Sequence, residues 1–526
     1  MLRPKFFSKG TIEMKPWMMA GSTALALLYA TGAVQAAVTP EDVWANWKTM
    51  AGDFGQTIST TSEARDGNVL VVKGLTFAME QAGGKASGAI EELRFADKGD
   101  GTVEVTMSDK LAMTMTTPST PDGQPPVSMA MSMSAPGMST IASGTPDAIS
   151  YALTAPEMKV HVEGADAADA TKNAIKMDMG LTGTSGTYAS AKVDAGQKLD
   201  YQFASKSADI SANVQDSTAG TDVDFKFSVA DIAATSSGMF LGAEAMKDMA
   251  AAMKAGFAFT SNVTYGAGSY EVNVRQADAP TKVSGTIGSG DFSVALAQNG
   301  FRFGTGSKDV TVIVDSAVIV DSAAIPIPDR SGSYGEAAFS FAMPLAKSDT
   351  PADFSLLTKL VDLKISDALW GMIDAGNALP HDPATLIIDA KGTATLTADL
   401  TDQAAMDAMG GTPPGQLNTL NVNQINLKVA GAELKGQGAF TFDAADTATI
   451  DGVPMPTGTL DLVATGVNGL IDKLVTMGLI PQDEAMQGKM MMGMFAKPGE
   501  GPDTLISAIE FKDKKMTING MEMPLQ

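Results

Sequence analysis

The chain of 526 residues contains no cysteine. Disulfides therefore cannot hold the fold, and the acylated N-terminal cysteine of bacterial lipoproteins is excluded. Histidine is almost as scarce: His161 and His381 are the whole complement, too few for an obvious zinc centre or Ser-His-Asp triad. Aromatic residues make up 6 % of the chain, with four Trp and seven Tyr. An outer-membrane barrel needs aromatic girdles at both interfaces, and this composition argues against one. Basic residues are outnumbered 37 to 60, for a net charge of −23. Nucleic acid and anionic lipid surfaces are poor partners for such a chain. Beyond the N-terminus no apolar run approaches the roughly 20 residues that a spanning helix wants.

What is present begins with an export signal. Met14-Lys15-Pro16 is a short positive start, and residues 17–33 form an apolar stretch rich in Ala and Leu. Val34-Gln35-Ala36 places small residues where a signal peptidase reads, so cleavage is expected after Ala36, with translation starting at Met14 or Met1. The competing reading is an uncleaved anchor, but Gly21, Ser22, Thr23 and Thr31 interrupt the stretch. The first 36 residues carry Arg3, Lys5, Lys9 and Lys15 against Glu13, so the net charge of the remainder is about −26. The expected product is an acidic periplasmic protein with no membrane span.

Thr39-Pro40-Glu41-Asp42 reads as a helix start, with a cap, a first-turn proline and acids at the positive dipole end. Val43, Trp47 and Met50 then form one apolar stripe with Trp44 beside it, suited to docking on a sheet. After Gly55 the period changes to two. Val103, Val105 and Met107 alternate with polar residues, as do Val223, Phe225, Phe227 and Val229, then Phe339, Phe341 and Met343, and Ile425, Leu427 and Val429. That pattern predicts antiparallel strands with one apolar and one wet face. Turn pairs fall at Asp66-Gly67, Asp122-Gly123, Asp451-Gly452 and Asn519-Gly520. Residues 97–101 predict a hairpin turn rather than a calcium loop, for want of alternating ligands and a closing glutamate. Residues 243–256 predict a helix, and residues 118–136 a partly looped excursion.

Two stretches about 100 residues apart look like copies of one unit. Val361-Asp362-Leu363 leads through Trp370 to Leu379-Pro380-His381-Asp382, and Leu460-Asp461-Leu462 leads through Leu470 to Ile480-Pro481-Gln482-Asp483. Each reads as strand, loop, amphipathic helix and proline stop. The expected organisation is residues 1–36 as signal, residues 37–330 as a β-rich region opening with a helix, and residues 331–526 as a β-rich region holding the two strand-helix repeats.

Catalytic motifs do not emerge. Gly304-Thr305-Gly306-Ser307-Lys308 lacks phosphate-loop spacing, and His161 lies between Val160 and Val162 on a strand pattern. Methionine is the one excess, at 34 residues. Met113 and Met115 share one strand face, as do Met129, Met131 and Met133; Met486, Met490 and Met494 share a helix stripe. Thioethers suit Cu(I), so Met129, Met131 and Met133 are copper candidates. The same spacings suit a core face or an adaptable apolar groove.

Leu470-Ile471-Asp472-Lys473-Leu474, Met477-Gly478-Leu479-Ile480-Pro481 and residues 490–495 continue into Pro498-Gly499-Glu500-Gly501-Pro502-Asp503. With Ile509-Glu510-Phe511, Asn519-Gly520 and the opening Thr39-Pro40-Glu41-Asp42-Val43-Trp44, they resemble an uncharacterised exported alphaproteobacterial family known only as a domain of unknown function. The resemblance implies a periplasmic protein and no particular activity. A looser likeness to AsmA-like envelope proteins implies a long sheet with an apolar groove that touches lipid. Together these readings predict a mainly β (α+β) fold, an elongated curved antiparallel sheet or sandwich with a few short helices. The expected function is non-enzymatic, with no cofactor, binding a lipid or another apolar ligand, or an envelope protein. Copper buffering and a hydrolase with an unrecognised site are the alternatives.

Overall fold

A computed structural model of the chain describes residues 37–526, less residues 54, 82–83, 117–126, 167–172, 195, 217–219, 243–244, 246–247, 277–279, 321–322, 327–329, 411–412, 448, 451–453 and 526. The expected cleavage after Ala36 and both candidate starts lie outside the described residues, as do the Asp122-Gly123 and Asp451-Gly452 turns. Ala37–Gln526 form one compact unit. It is mainly β, built on one 28-stranded sheet whose neighbours are all antiparallel.

Helix α1 (Pro40–Asp53) starts where the sequence predicts. The Thr39 N–H and hydroxyl donate to Asp42 Oδ2 at 2.9 and 2.6 Å, and the Asp42 N–H donates to Thr39 Oγ1 at 3.2 Å. This reciprocal pair satisfies donors that the first helical turn leaves free.

The sheet then runs as a meander. Edge strands β1 (Thr57–Ser59) and β2 (Ser62–Asp66) pair with β3 (Val69–Gln81), and β3 pairs with β4 (Gly84–Asp97). The halves of β4 take β5 (Val103–Met107) and β6 (Lys110–Thr116); β7 (Val127–Ser134) follows on β6 and β8 (Ser139–Thr145) on β5. Both lie against β9 (Ala148–Asp166), which pairs with β10 (Asn173–Val193), then β11 (Gly196–Asp216) and β12 (Thr221–Phe240). Strands β13 (Ala258–Tyr265) and β14 (Gly268–Arg275) share β12, and β15 (Thr281–Ile287) and β16 (Ser289–Ala297) pair with them and with β17 (Gly300–Val320). Strands β18 (Ala323–Pro326) and β19 (Gly332–Met343) both return along β17, so pairing continues across residue 330.

From β19 the order is β20 (Ala352–Ile365), β21 (Ala384–Leu396), β22 (Gly415–Val429), β23 (Ala432–Asp443) and β24 (Met455–Thr465). Then comes β26 (Thr504–Lys512), flanked by β25 (Lys497–Pro498) and β27 (Lys515–Ile518), with β28 (Met521–Met523) last. Among the described residues no pairing joins the two ends, so the sheet is open. The Asn519-Gly520 turn joins β27 to β28 with both residues at positive φ, 52° and 85°, as an Asn-Gly hairpin requires.

The two strand-helix repeats are present. Helix α3 (Asp367–Ile373) follows β20 and α5 (Val467–Thr476) follows β24, while α2 (Met249–Lys254), α4 (Gln403–Ala408) and α6 (Gln482–Phe495) are the remaining helices among the described residues. Within the predicted helix over 243–256, of which residues 243–244 and 246–247 lie outside the described residues, Met249–Lys254 is helical and capped by Asp248, which accepts from the Ala251 N–H at 3.0 Å. Of the predicted excursion over 118–136, residues 118–126 lie outside the described residues, and Val127–Ser134 is strand β7 with a turn after it.

A line of kinks crosses the strands. Gly74, Gly183, Asp231, Asp309 and Asp362 have φ between +50° and +58° within their strands. They stand at one level: Gly183 is flanked by Pro156 on β9 and Lys206 on β11, Lys206 faces Asp231, and Asp309 lies between Gly288 and Gly335. A left-handed residue in a strand bends it and resets which way the next side chains point. In β17, Phe301 and Phe303 have odd numbers, whereas Val310, Val312 and Val314 have even ones. In a regular strand these sets would face opposite sides. Tyr334, opposite Val310, instead hydrogen-bonds Ser307 of the odd set at 3.0 Å. The kinks therefore keep both halves of each strand apolar on the same side.

Candidate functional site

Following the register across the sheet gives continuous apolar files. Ile58, Phe77, Gly88, Met113, Met131, Val162, Met177, Ala212, Phe225, Val272, Val283 and Val314 face one another in succession from β1 to β17. Beyond the kinks a second file runs Val294, Phe303, Phe341, Leu356, Ala390, Val422, Gly438, Leu460 and Ile509, from β16 to β26. At about 4.8 Å per strand the first file is roughly 50 Å long. The opposite face carries Glu163, Lys176, Asn213, Asp224, Asn273, Lys282 and Asp315 in the same succession. One face is dry in composition and the other wet.

Helix α1 covers the beginning of the apolar face. Val43, Trp44 and Trp47 pack on Leu70, Val72, Leu75, Ile90, Leu93 and Phe95, residues from both sides of the kink line. Trp47 meets the Phe95 ring edge-on, with centroids 5.5 Å apart. The Tyr151 hydroxyl donates to Asn46 Oδ1 at 2.7 Å, and burial pushes the phenol well above its ordinary pKa. A smaller core sits where Ala252 and Met253 of α2, with Phe257, meet Phe240, Phe259 and Leu296. Elsewhere the face is uncovered: Tyr201, Val214, Phe292, Phe339, Leu356 and Leu427 are 38–43 % exposed. Where uncovered sheet meets α1 there is a cavity of about 1210 Å³. Asp42, Asn46 and Thr49 of α1, the ends of β10 and β11, and Phe240 to Gly242 line it.

The predicted copper candidates lie on the apolar face. Met131 faces Met113 and Met129 faces Met115 across β6–β7, while Met133 faces Leu111 and Val160. The helical stripe Met486, Met490 and Met494 is more than half exposed; Ala485 is the residue that α6 buries. That stripe does not form a core, although α6 packs on α5.

His161 lines two open depressions of about 710 Å³ each, one with Ser132 and Asp178 and one with Ser132 and Glu163. Ser132, His161 and Asp178 are cross-strand neighbours on the wet face of β7, β9 and β10, an alignment the sequence did not reveal. His161 Nδ1 lies 2.7 Å from Asp178 Oδ1 and Nε2 lies 3.4 Å from Glu163 Oε1. The Asp178 hydrogen bond, then Glu163, raise the imidazole pKa above its ordinary value. A triad would need Nε2 on the serine, with free N–H donors nearby for an oxyanion. Here Nε2 turns to Glu163, and the flanking strands are in ladder pairing. His381 stacks on Trp370 at 4.3 Å, closing the loop after α3. In that loop Asp374 accepts from the Ala378 and Leu379 N–H groups at 2.9 and 2.6 Å, which hold its carboxyl below the usual range.

Comparison with known families places the C-terminal part of this sheet. The sequence model of a family described as uncharacterized protein conserved in bacteria (DUF2125) matches residues 243–523, more than half of the chain. The chain belongs to this family. The matched region runs from just before α2 to β28, and so contains both strand-helix repeats and the whole second apolar file. No curated protein and no solved structure matches the chain. No described helix is long and apolar enough to cross a membrane.

Proposed function

We propose that this chain is an exported, non-enzymatic protein of the bacterial periplasm that holds acyl chains along the uncovered apolar face of its sheet. The carrying observation is the apolar face that holds the two files, continuous over many strands yet 38–43 % exposed at Tyr201, Val214, Phe292, Phe339, Leu356 and Leu427. Exposed apolar patches of that extent mark a binding surface. Magnitudes favour a two-chain ligand. A chain of ~14 carbons gains roughly 10 kcal/mol at ~0.8 kcal/mol per buried CH₂, comparable with the ~4–15 kcal/mol cost of association. One chain is therefore marginal, and two are not. The apolar residues 17–33 and the acidic remainder support export.

Native mass spectrometry of protein purified from its own envelope fraction tests both parts. The expected result is a chain beginning at Ala37 that carries diacyl lipid, with Phe227→Glu losing the lipid. A chain that retains Met14, or that carries no lipid and binds no fluorescent fatty acid, would sink the corresponding part.

A second reading is Cu(I) held by thioethers, favoured by the facing pairs Met113–Met131 and Met115–Met129. It predicts Cu(I) binding that is lost when Met129, Met131 and Met133 become leucine. A wild-type protein that binds no Cu(I) ends it.

A further inference from the structure

We propose that the cavity beside α1 receives the head of a zwitterionic amphiphile, one carrying both a phosphate and an ammonium; this rests on the reading of the apolar face as a chain-binding surface. The cavity, about 1210 Å³, lies where that face runs up to α1. Its floor continues the face through Leu199 and Phe240. Its size suits a head together with the first part of the chains, since small-molecule pockets span roughly 300–1,000 Å³.

The inner file of β10 changes character on the way in. Tyr188 and Ser190 are followed by Lys192, and Lys192 faces Gln197 of β11. Asp147 and Asp194 stand on the same rim. The neighbouring Lys198 is paired with Asp200 at 2.9 Å, as Lys282 further along the sheet is with Glu271 at 2.8 Å. Among the described residues Lys192, Asp147 and Asp194 make no ion pair, although cation and carboxylates line one cavity. Asp42 is already taken by Thr39. A purely anionic head would meet two carboxylates, and a purely cationic head would leave Lys192 without a counter-ion. A head with both charges answers both, phosphate to Lys192 and ammonium to Asp147 and Asp194.

The test is competition for the full chain between phosphatidylethanolamine and phosphatidylglycerol with identical acyl chains, read by native mass spectrometry, with diacylglycerol as a headless control. The wild type is expected to prefer phosphatidylethanolamine by about tenfold, and Asp147→Asn with Asp194→Asn to abolish the preference. Lys192→Gln is expected to weaken both phospholipids while leaving diacylglycerol unchanged. Soluble glycerophosphoethanolamine is expected not to compete; if it does so as well as the lipid, the site is not one for an amphiphile. Equal binding of both phospholipids by the wild type, or a preference that survives the variants, overturns the head site while leaving chain binding intact. Failure of all three lipids to bind overturns chain binding and the head site together.

Discussion

The sheet under α1 and the sheet beyond β10 carry the same kind of apolar file, yet they end in different states. Val72, Leu93 and Phe95 are fully buried, whereas Tyr201, Phe292 and Phe339 on the later strands are about 40 % exposed. Alternation along a strand makes a dry face, but it does not make a core; a core needs a second layer. One 14-residue helix supplies that layer for the first strands. Between β13 and β24 the described cover is only local, the small cluster at α2 and the contact of α5 with β23. The N-terminal edge is handled differently again. All of β2 is exposed, with Glu63, Arg65 and Asp66 along it, and Arg65 makes two hydrogen bonds to Glu41 of α1 at 2.8 and 2.7 Å. Charge on a short edge strand discourages another strand from adding to it.

Breaking this comparison means showing that the two regions respond alike to the same truncation. Phe95→Ala removes a ring from a sealed core and is expected to cost about 3–5 kcal/mol in urea denaturation. Phe227→Ala removes a half-buried ring that stacks on Phe225 and should cost less, roughly 1–2 kcal/mol, because part of the ring already meets water. Equal losses would mean that the later strands are covered by something in solution, such as bound lipid that survives purification. Delipidation before the measurement would then restore the gap.

The kink line gives the next largest effect, and it tests whether the apolar side is continuous. Gly183 has φ +57°, so Gly183→Val places a β-branched residue in the left-handed region at an expected cost of ~1–2 kcal/mol. Asp309→Gly, at φ 52°, should be neutral or slightly stabilising. If Gly183→Val leaves the urea midpoint unchanged, the left-handed kink is not what sets the direction of the side chains beyond it.

Much of this was legible in the sequence. Alternation at Val223 to Val229 and at Phe339 to Met343 gave the strands and their dry sides, and Thr39 to Trp47 gave the docking helix. The strand-helix repeats at Val361 and Leu460 were also visible, because helix caps and proline stops are local signals. The kinks were missed, although they leave a trace: after Phe225, Phe227 and Val229 the apolar position moves to Ile232, across Asp231. Reading that slip of parity requires knowing that Asp231 is left-handed, which depends on its neighbours in the sheet. The cavity beside α1 and the Ser132–His161–Asp178 alignment depend on register between distant strands, which no single strand encodes. The Met486 stripe looked suited to a core or groove because helical spacing shows an amphipathic face without showing what lies against it.

The wet face offers the smallest and most local test. His161 sits between Asp178 and Glu163, and its folded pKa is raised chiefly by the Asp178 hydrogen bond. A raised folded value means that the pairing contributes in full below the unfolded value of about 6.5 and fades as pH rises through the folded value. Salt screens so exposed a pair, so the readout is the titration itself rather than global stability. With two histidines in the chain, a His381→Gln background leaves one imidazole signal in the NMR spectrum. Its midpoint should lie above 6.5, move down in Asp178→Asn, and move down less in Glu163→Gln, the more distant partner. A midpoint at or below 6.5 in the parent would mean that the wet face of β9 and β10 does not hold these side chains together. The register that aligns the apolar file on the reverse of the same two strands would then need revision as well, since Val162 and Met177 sit one residue from His161 and Asp178.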